Sequence, residues 1–526
     1  MLIYNFIERK CMTMQKSKKL IAFLAAFMLL MMCWMPSLAS AIDSNAAVST
    51  TYGQVMGKTY DGGMCYLGIP YAAPTIGELR FLPPKAPPEW DGILDATTQP
   101  KDPIQNNYSE KKQSEDSLRL NIWVPDTDTD QPLAVMFWIY GGSYATGGIN
   151  KMYYNMETMA NETGCIIVSA NYRLNVCGFI DLRDVIPGAT VNNGLRDIVF
   201  ALQWVHENIG NFGGNPDNVT VFGQSAGAAL ATALLSIPSA DAYFDKIIAQ
   251  SACGDSFYSP AQAKELTKTW MQLMDEPTAE ELISMPAKQL VSCNSELDVK
   301  KFMKSGIDCI YNPVIDGEFL VCHPSQVKNT DKKVLLGCNK DEASLFLFFV
   351  LPPLTLIPFA HEVAMPGYSD ELKASVTKGI GFPSTDSLIT LTTERMYRFP
   401  LTQLADNLSQ STEVYSYRYD YESVLVKMLN LGSFHCTEIP VLFDVSLKLG
   451  PIKLRPFGFK ADDAVGTRMR TYWGDFAKYG TPSADWTPYD AEQRSTMIIN
   501  TNDTVCNDPY GERMALYETY IPAWNQ

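Results

Sequence analysis

The residues that point most directly to chemistry are Gly223–Gly227 (Gly-Gln-Ser-Ala-Gly), which have the pattern G-x-S-x-G. A serine in this pattern is an exposed nucleophile when it stands on a tight turn between a strand and a helix. Glycines two residues before and after Ser225 allow neighbouring backbone to pass without a Cβ clash. The start of a following helix directs backbone N–H groups and the positive end of its dipole at developing negative charge. The pattern therefore predicts attack by Ser225 on an electrophilic carbonyl carbon.

The sequence around Ser225 predicts the elements that would position it. The β-branched run Val219–Phe222 precedes the pentapeptide, and an Ala/Leu-rich helix former follows it. Other apolar runs are typical of buried strands: Leu133–Tyr140, Cys165–Ala170, Lys246–Ala249 and Val334–Leu336. Asp197–Asn208 has its apolar positions at helical spacing. Apolar strands alternating with helices favour an α/β fold with a mostly parallel sheet covered on both faces.

Composition narrows the classes of function. The chain has 526 residues, of which 46% are hydrophobic and 19% charged, and this excludes a disordered or fibrous protein. Its net charge of −16 argues against non-specific binding to nucleic acid or to an anionic membrane. With four histidines and no C-x-x-C spacing, the sequence predicts neither a metal site nor a cofactor.

The first 41 residues have the organisation of a secretory signal peptide. Basic residues at positions 16, 18 and 19 precede the uncharged run Leu20–Met35, and the small residues Ala39–Ala41 follow. We expect cleavage after Ala41 and a secreted or extracytoplasmic protein with no membrane span afterwards. An uncleaved anchor is the alternative, although the apolar run is short of the ~20 residues that a span needs. Residues 42–526 show no shift in composition and are interpreted as one domain.

Motifs distributed over nearly the whole of residues 42–526 resemble those of type-B carboxylesterases, the family of carboxylesterases and cholinesterases. The resemblance rests on Tyr66–Ala72, Gly77–Phe81, Ser114–Asn121, Asn171–Leu174 with Gly178 and Phe179, Asn193–Asp197, Phe212–Pro216, and the C-terminal Trp473, Phe476, Gly480, Pro482 and Trp486. It implies an α/β-hydrolase fold, in which helices flank a large, mostly parallel central sheet and insertions form the substrate gorge. It also implies hydrolysis of small-molecule carboxylic esters without a cofactor.

A nucleophilic serine needs a base, which must be one of the four histidines. His435 lies in Gly432–Glu438, which resembles the family's G-x-x-H-x-x-E, and it follows Ser225 as the order serine, acid, histidine requires. His206 is interpreted as a surface residue of a helix. His323 and His361 lie in no matching motif.

The triad acid is implied by the resemblance of Gly337–Glu342 to the family's G-x-N-x-D-E, in which the glutamate is the acid. Glu342 would hold the imidazole in the right tautomer and stabilise its charged form. Asp341 is the alternative, and it could instead be a turn or cap residue.

The oxyanion hole is implied in the same way. Tyr140–Tyr144 stands where the family has H/Y-G-G-G-F, and Gly142 and Ser143 fall on the donor positions. Ala226, directly after the nucleophile, supplies the third N–H. Ser143 replaces a preferred glycine, so the backbone donor remains but a side chain intrudes.

Two departures from the family bear on substrates. Gln224 stands where glutamate is common, which removes a negative charge beside the future imidazolium and should affect the rate. Ser117 replaces the cysteine of E-D-C, and no cysteine lies between Cys65 and Cys165. The small disulfide loop that holds the choline-stacking tryptophan of cholinesterases therefore cannot form, and a choline ester is not indicated.

The uncharged segment Ser344–Ala360 follows the predicted acid. Its prolines exclude a spanning helix. It is interpreted either as core packing or as an apolar wall over the acyl pocket, with Phe346, Phe349 and Gln224 as pocket residues. The second interpretation favours hydrophobic esters.

The sequence thus predicts an exported serine hydrolase that cleaves carboxylic esters through an acyl-enzyme. Two alternatives keep the triad, namely a lipase and a hydrolase of amides or carbamates. A third is a non-catalytic adhesion module of the same family, although such proteins usually lack a triad member. The natural ester and the oligomeric state are not indicated.

Overall fold

The computed structural model describes residues 47–106, 108–254, 256–298, 309–350, 365, 368–382, 384–445, 447–449, 452–454 and 460–520. The predicted signal peptide, residues 1–41, and His361 lie outside these residues, so the signal peptide stays a prediction. The elements below all belong to one unit of contacts, Ser44–Gln526.

The strands of the described chain contain three to eleven residues. They are β1 (Ala47–Thr50), β2 (Gly53–Met56), β3 (Lys58–Tyr60), β4 (Gly63–Pro70), β5 (Ile93–Asp95), β6 (Arg119–Pro125), β7 (Leu133–Ile139), β8 (Ile166–Ala170), β9 (Gly214–Gln224), β10 (Lys246–Gln250), β11 (Lys333–Asn339), β12 (Val414–Tyr419), β13 (Leu447–Leu449), β14 (Ile452–Leu454), β15 (Ser495–Ile499) and β16 (Thr504–Asn507).

The helices connect these strands or follow them. They are α1 (Met156–Thr163), α2 (Asn175–Phe179), α3 (Asn193–Asn208), α4 (Ala226–Ala233), α5 (Pro260–Leu273), α6 (Ala279–Ser284), α7 (Ala287–Leu290), α8 (Ser344–Val350), α9 (Asp370–Thr377), α10 (Thr385–Thr393), α11 (Phe399–Leu408), α12 (Val424–Leu429), α13 (Glu438–Leu442), α14 (Lys460–Tyr479) and α15 (Gly511–Tyr520). A π-helical turn, Glu394–Arg398, joins α10 to α11. Within the described residues, none of these helices combines the length and the apolar character that crossing a membrane requires.

An eleven-stranded sheet organises the molecule, with the order β16-β15-β12-β11-β10-β9-β7-β8-β6-β4-β3. Its centre, from β8 to β15, is parallel throughout, and the strands at both edges are antiparallel. The predicted mostly parallel sheet is therefore confirmed for the centre. Each of the predicted strands overlaps an observed one, because near-continuous apolar runs suit strands that helices bury on both faces.

Three neighbouring strands bring the polar residues together. Strands β9, β10 and β11 pair in parallel and end at Gln224, Gln250 and Asn339. The carboxyl ends of adjacent parallel strands meet at one edge of the sheet, which is where ligands bind in open α/β folds. The residues just beyond these ends, Ser225 and Ser251 among them, therefore become neighbours.

Candidate active site

Ser225 occupies a strained turn between β9 and α4, with φ 59° and ψ −127°. A non-glycine residue in such a conformation costs about 1–3 kcal/mol, which the surrounding structure must offset. The two flanking glycines make the turn possible. A Cβ on Gly227 would lie 2.1 Å from the carbonyl oxygen of Ile139, and one on Gly223 would lie 2.6 Å from that of Gly227.

The structure brings Ser225, His435 and Glu342 into one line of hydrogen bonds. The Oγ of Ser225 lies 2.8 Å from Nε2 of His435, and Nδ1 of His435 lies 2.6 Å from Oε2 of Glu342. With Nδ1 donating its hydrogen to the carboxylate, Nε2 is free to accept the proton of the serine. His435 and Glu342 are both buried, so these contacts lie in a low-dielectric environment where they are strong.

Two residues that the sequence analysis did not single out hold the Glu342 carboxylate. Its Oε1 accepts from the Ser251 hydroxyl at 2.5 Å and from the Asn339 backbone N–H at 2.7 Å. Both donors stand at the carboxyl ends of strands β10 and β11. Because β10 and β11 were both predicted, polar residues at the carboxyl ends of these strands could have been proposed as neighbours of the site.

The structure gives Asp341 a different partner from the histidine. Its Oδ2 accepts from the backbone N–H of Ser433 at 3.1 Å, and its own N–H donates to the Ser433 carbonyl at 3.0 Å. Asp341 therefore supports the loop that leads to His435. The geometry favours Glu342 over Asp341 as the partner of the imidazole.

Aromatic rings pack against the imidazole of His435. The Tyr397 ring lies 5.1 Å from it and the Phe346 ring 5.3 Å from it, centroid to centroid. The predicted pocket residue Phe346 therefore contacts the site. Tyr397, in the π-helical turn, was missed, and no local pattern marks it. Such turns are frequent at functional sites.

Gln224, another predicted pocket residue, is buried. Its Nε2 lies 3.3 Å from Nε2 of His435. The imidazole is subject to opposing influences. Burial disfavours its charged form, but the neighbouring Cys436 and the Glu342 carboxylate favour it, and the pKa of His435 lies above its ordinary value.

The loop after β7 lies directly against the serine turn. A Cβ on Gly141 would be 2.9 Å from Cβ of Ser225. The loop turns through positive φ values at Gly142, Ser143 and Tyr144, and the Gly142 carbonyl accepts from the N–H groups of Ala145 and Thr146. This turn is possible only for glycine at 142, because a Cβ there would lie 2.1 Å from the Thr146 carbonyl oxygen.

Three backbone N–H groups in this region are free to donate. Those of Gly142 and Ser143 have no acceptor among the described residues. Ala226 is the first residue of α4, where an N–H has no acceptor within its own helix. The Ser143 side chain is exposed. The arrangement can bind a negatively charged oxygen formed beside Ser225.

Comparison with known proteins settles the family. The model of the carboxylesterase family matches residues 44–517. This chain belongs to the carboxylesterase family. The para-nitrobenzyl esterase of Bacillus subtilis (strain 168) is 31% identical over 484 residues, which cover 89% of this chain and 97% of that protein.

Solved structures of carboxylesterases also match. A PNB esterase structure superposes with a TM-score of 0.79 at 30% identity and covers 90% of this chain and 99% of its own. The Geobacillus stearothermophilus carboxylesterase EST55 gives a TM-score of 0.79 at 31% identity and covers 90% of this chain and 100% of its own. The predicted α/β-hydrolase fold and the predicted class, a carboxylic ester hydrolase, are confirmed.

The remaining predicted pocket residue of this carboxylesterase is Phe349, and the remaining described histidines are His206 and His323. The side chain of Phe349 and residues 351–360 lie outside the described part of the chain. His206 is half-buried on α3, with its ring 5.6 Å from that of Tyr243. His323 caps the short helix Pro324–Gln326, and its Nε2 lies 3.0 Å from the Gly254 carbonyl oxygen. Neither histidine contacts Ser225.

Seven cysteines of this carboxylesterase form no disulfide within the described part of the chain, namely Cys65, Cys165, Cys177, Cys322, Cys338, Cys436 and Cys506. Ser117, which replaces the family cysteine, is buried. Over the same described residues, no three His, Cys, Asp or Glu side chains are grouped so that they could hold a metal ion.

Proposed function

We propose that this carboxylesterase is an exported enzyme that cleaves carboxylic esters through an acyl-enzyme on Ser225. The observation that carries the proposal is the unbroken line of hydrogen bonds from Ser225 Oγ through His435 to Glu342, with separations of 2.8 and 2.6 Å. A serine hydroxyl is a weak nucleophile until a positioned base takes its proton, and His435 supplies that base.

In the acylation step, Oγ of Ser225 attacks the ester carbonyl carbon while Nε2 of His435 takes the hydroxyl proton. Glu342 holds the imidazole in the tautomer that accepts at Nε2 and stabilises the imidazolium. His435 then returns the proton to the leaving alcohol, and the acyl group stays on Ser225. A water molecule releases the acid along the same path, with His435 again as base.

The negative charge of each tetrahedral intermediate falls on the former carbonyl oxygen. We assign its stabilisation to the backbone N–H groups of Gly142, Ser143 and Ala226. Their support is the contact of the 141–144 loop with the serine turn and the absence of other acceptors for these donors among the described residues. One such donor is worth about 10²–10³ in rate.

The expected substrates are small, largely apolar esters. Phe346 and Tyr397 place aromatic surface beside the imidazole, and Gln224 adds a polar side chain whose Nε2 lies 3.3 Å from Nε2 of His435. Apolar walls with few polar groups favour hydrophobic acyl or alkyl groups. Export rests on the basic, apolar and small-residue order of residues 1–41, and N-terminal sequencing of the secreted protein would test cleavage after Ala41.

The test compares the purified chain of residues 42–526 with its Ser225→Ala variant on p-nitrophenyl esters from acetate to palmitate. We expect the variant to fold and to lose at least about 10⁴ in kcat/KM, because removal of a triad member leaves only the oxyanion hole and binding. Ser169→Ala is the matched control, since Ser169 is equally buried in β8 and its Oγ has no partner among the described residues.

The same assay distinguishes the alternatives. An optimum at palmitate indicates a lipase, and comparable turnover of matching p-nitroanilides indicates an amide hydrolase. Ester turnover that survives in Ser225→Ala overturns the proposed nucleophile. A folded wild-type protein without turnover on any ester or anilide overturns the proposed activity.

A further inference from the structure

A second carboxyl group lies fully buried behind the triad. Glu438, the first residue of α13, is 0% exposed, as is Glu342. Its Oε2 accepts from Nδ2 of Asn339 at 2.6 Å, and its Oε1 accepts from Nε2 of Gln250 at 3.4 Å. The mechanism proposed above does not use this group, and burying a carboxyl lowers the stability of the fold unless hydrogen bonds offset the loss of hydration.

Both partners of Glu438 also hold the reacting groups. Asn339 donates its backbone N–H to Glu342 at 2.7 Å, and its Nδ2 also donates to the Phe434 carbonyl, next to His435, at 2.8 Å. The Gln250 carbonyl accepts the N–H of Ser225 at 2.9 Å. Glu438 is therefore connected through one intervening residue to Glu342 and to Ser225, and through Asn339 to the carbonyl that precedes His435.

Gln250 is itself fixed from the far side, which keeps its orientation defined. Its Oε1 accepts from Nε1 of Trp473 on α14 at 3.0 Å, so its Nε2 must face Glu438. Trp473 therefore donates a hydrogen bond to Gln250, and Gln250 in turn donates one to the Glu438 carboxyl group.

The titratable groups that face Glu438 are few in the described chain. Burial and the nearby Glu342 raise the pKa of Glu438 to about 7, although the hydrogen bond from Asn339 and the nearby His435 oppose this. The Tyr417 hydroxyl on β12 faces the same region. Burial is the main reason that the pKa of this hydroxyl lies well above its usual range, and the nearby Glu438 adds to the effect. On α14, Arg470 donates to the carbonyls of α13 and pairs with Glu162.

We propose that Glu438 is a positioning residue that acts through Asn339 and Gln250, and that its ionised form increases the basicity of His435 during catalysis. The proposal rests on the triad assigned above. When Glu438 is ionised, its negative charge stabilises the imidazolium that forms as Ser225 loses its proton. When it is protonated, that stabilisation is lost and the rate falls.

The sign of the pH effect follows from this arrangement. At pH values above about 7 Glu438 is ionised and supports the imidazolium, and below about 7 it is neutral. Glu438→Gln keeps the size and the hydrogen-bonding ends of the side chain but is neutral at every pH. The ratio of wild-type to variant kcat/KM is therefore expected to be about threefold at pH 8.5 and to approach one at pH 6.

The experiment measures kcat/KM on p-nitrophenyl acetate from pH 5.5 to 9 for the wild type, Glu438→Gln and the control Glu413→Gln. Glu413 pairs with Lys333 at the opposite, amino ends of β11 and β12, so its removal should leave the profile unchanged. A ratio that is constant with pH, or activity of Glu438→Gln equal to wild type throughout, overturns the proposal.

An infrared titration keeps the proposal testable if Glu438→Gln does not fold. The wild type by itself should show the C=O band of a buried protonated carboxyl at pH 6, and this band should disappear by pH 8. A wild type without this band overturns the inference. If the proposed triad is wrong, the Ser225→Ala variant keeps its activity, and this result distinguishes that failure from failure of the present inference.

Discussion

The proposed nucleophile and the proposed acid–base pair of this site are placed by opposite means. Ser225 is placed by backbone sterics within five consecutive residues, where two glycines leave no room for a Cβ. Glu342 accepts hydrogen bonds from Ser251, which is 91 residues away in the chain, and from the nearby Asn339. The Ser433 N–H, in the loop that leads to His435, donates to Asp341. Added side-chain volume should therefore be poorly tolerated around Ser225, whereas loss of a polar partner should be poorly tolerated around Glu342 and His435. A substitution of either glycine should therefore affect stability first, and the loss of a hydrogen-bond donor to Glu342 should affect the rate first.

The largest effect is expected for Gly227→Ala. The new Cβ would lie 2.1 Å from the Ile139 carbonyl oxygen, and backbone cannot move aside as a flexible side chain does. We expect a loss of about 3 kcal/mol in the free energy of unfolding, measured by urea denaturation, together with loss of turnover.

Gly210→Ala is the matched control for that variant. No atom lies within 4 Å of a Cβ at Gly210. Its unfolding free energy should stay within about 0.5 kcal/mol of the wild type. Equal stability of Gly227→Ala and Gly210→Ala would show that the serine turn is not under steric control.

An intermediate effect is expected for Ser251→Ala. This change removes one of the two hydrogen bonds that hold Oε1 of Glu342 and leaves the fold intact. Because bonds to charged groups contribute about 1.5–3 kcal/mol, we expect kcat/KM to fall about tenfold with little change in KM. Steady-state kinetics beside Ser169→Ala measure this, and a KM increase at constant kcat would mean that Ser251 acts on substrate binding instead.

The smallest effect on turnover is expected for Gln224→Glu. Its side chain lies 3.3 Å from Nε2 of His435, so a carboxylate there would stabilise the imidazolium and raise the pKa of His435 further. Because His435 must be neutral to accept the serine proton in the proposed mechanism, the acid limb of kcat/KM should move up by about one pH unit.

At pH 9 the turnover of Gln224→Glu should stay within about threefold of the wild type. Gln224→Met, which has similar length and no charge, should keep the wild-type midpoint. An acid limb that moves equally in both variants would exclude a charge effect.

The two sides of the site also differ in how far the sequence could predict them. The position of Ser225 could be predicted from local sequence, because the strand, the two glycines, the serine and the helix follow one another directly in the chain. The partners Glu342 and His435 came from a resemblance to a family, and position alone left Asp341 open. The structure separates the two carboxylates, since Asp341 bonds the Ser433 backbone and Glu342 bonds the ring.

Ser251, Asn339 and Tyr397 escaped prediction for different physical reasons. The first two act through hydrogen bonds that depend on which strands are adjacent, and the order of strands in the sheet is not written in local sequence. Tyr397 reaches His435 from a π-helical turn, whose extra residue shifts the face that a helical pattern would assign.

The span of chain between contacting groups has a consequence for how this protein acquires activity. Ser225 and His435 are 210 residues apart, and His435 and Glu342 are 93 apart. Contacts across such separations form late, because closing long loops carries an entropic cost before any bonding compensates for it. Native-like secondary structure should therefore return during refolding well before esterase turnover does, and recovered turnover reports completion of the tertiary structure rather than local order.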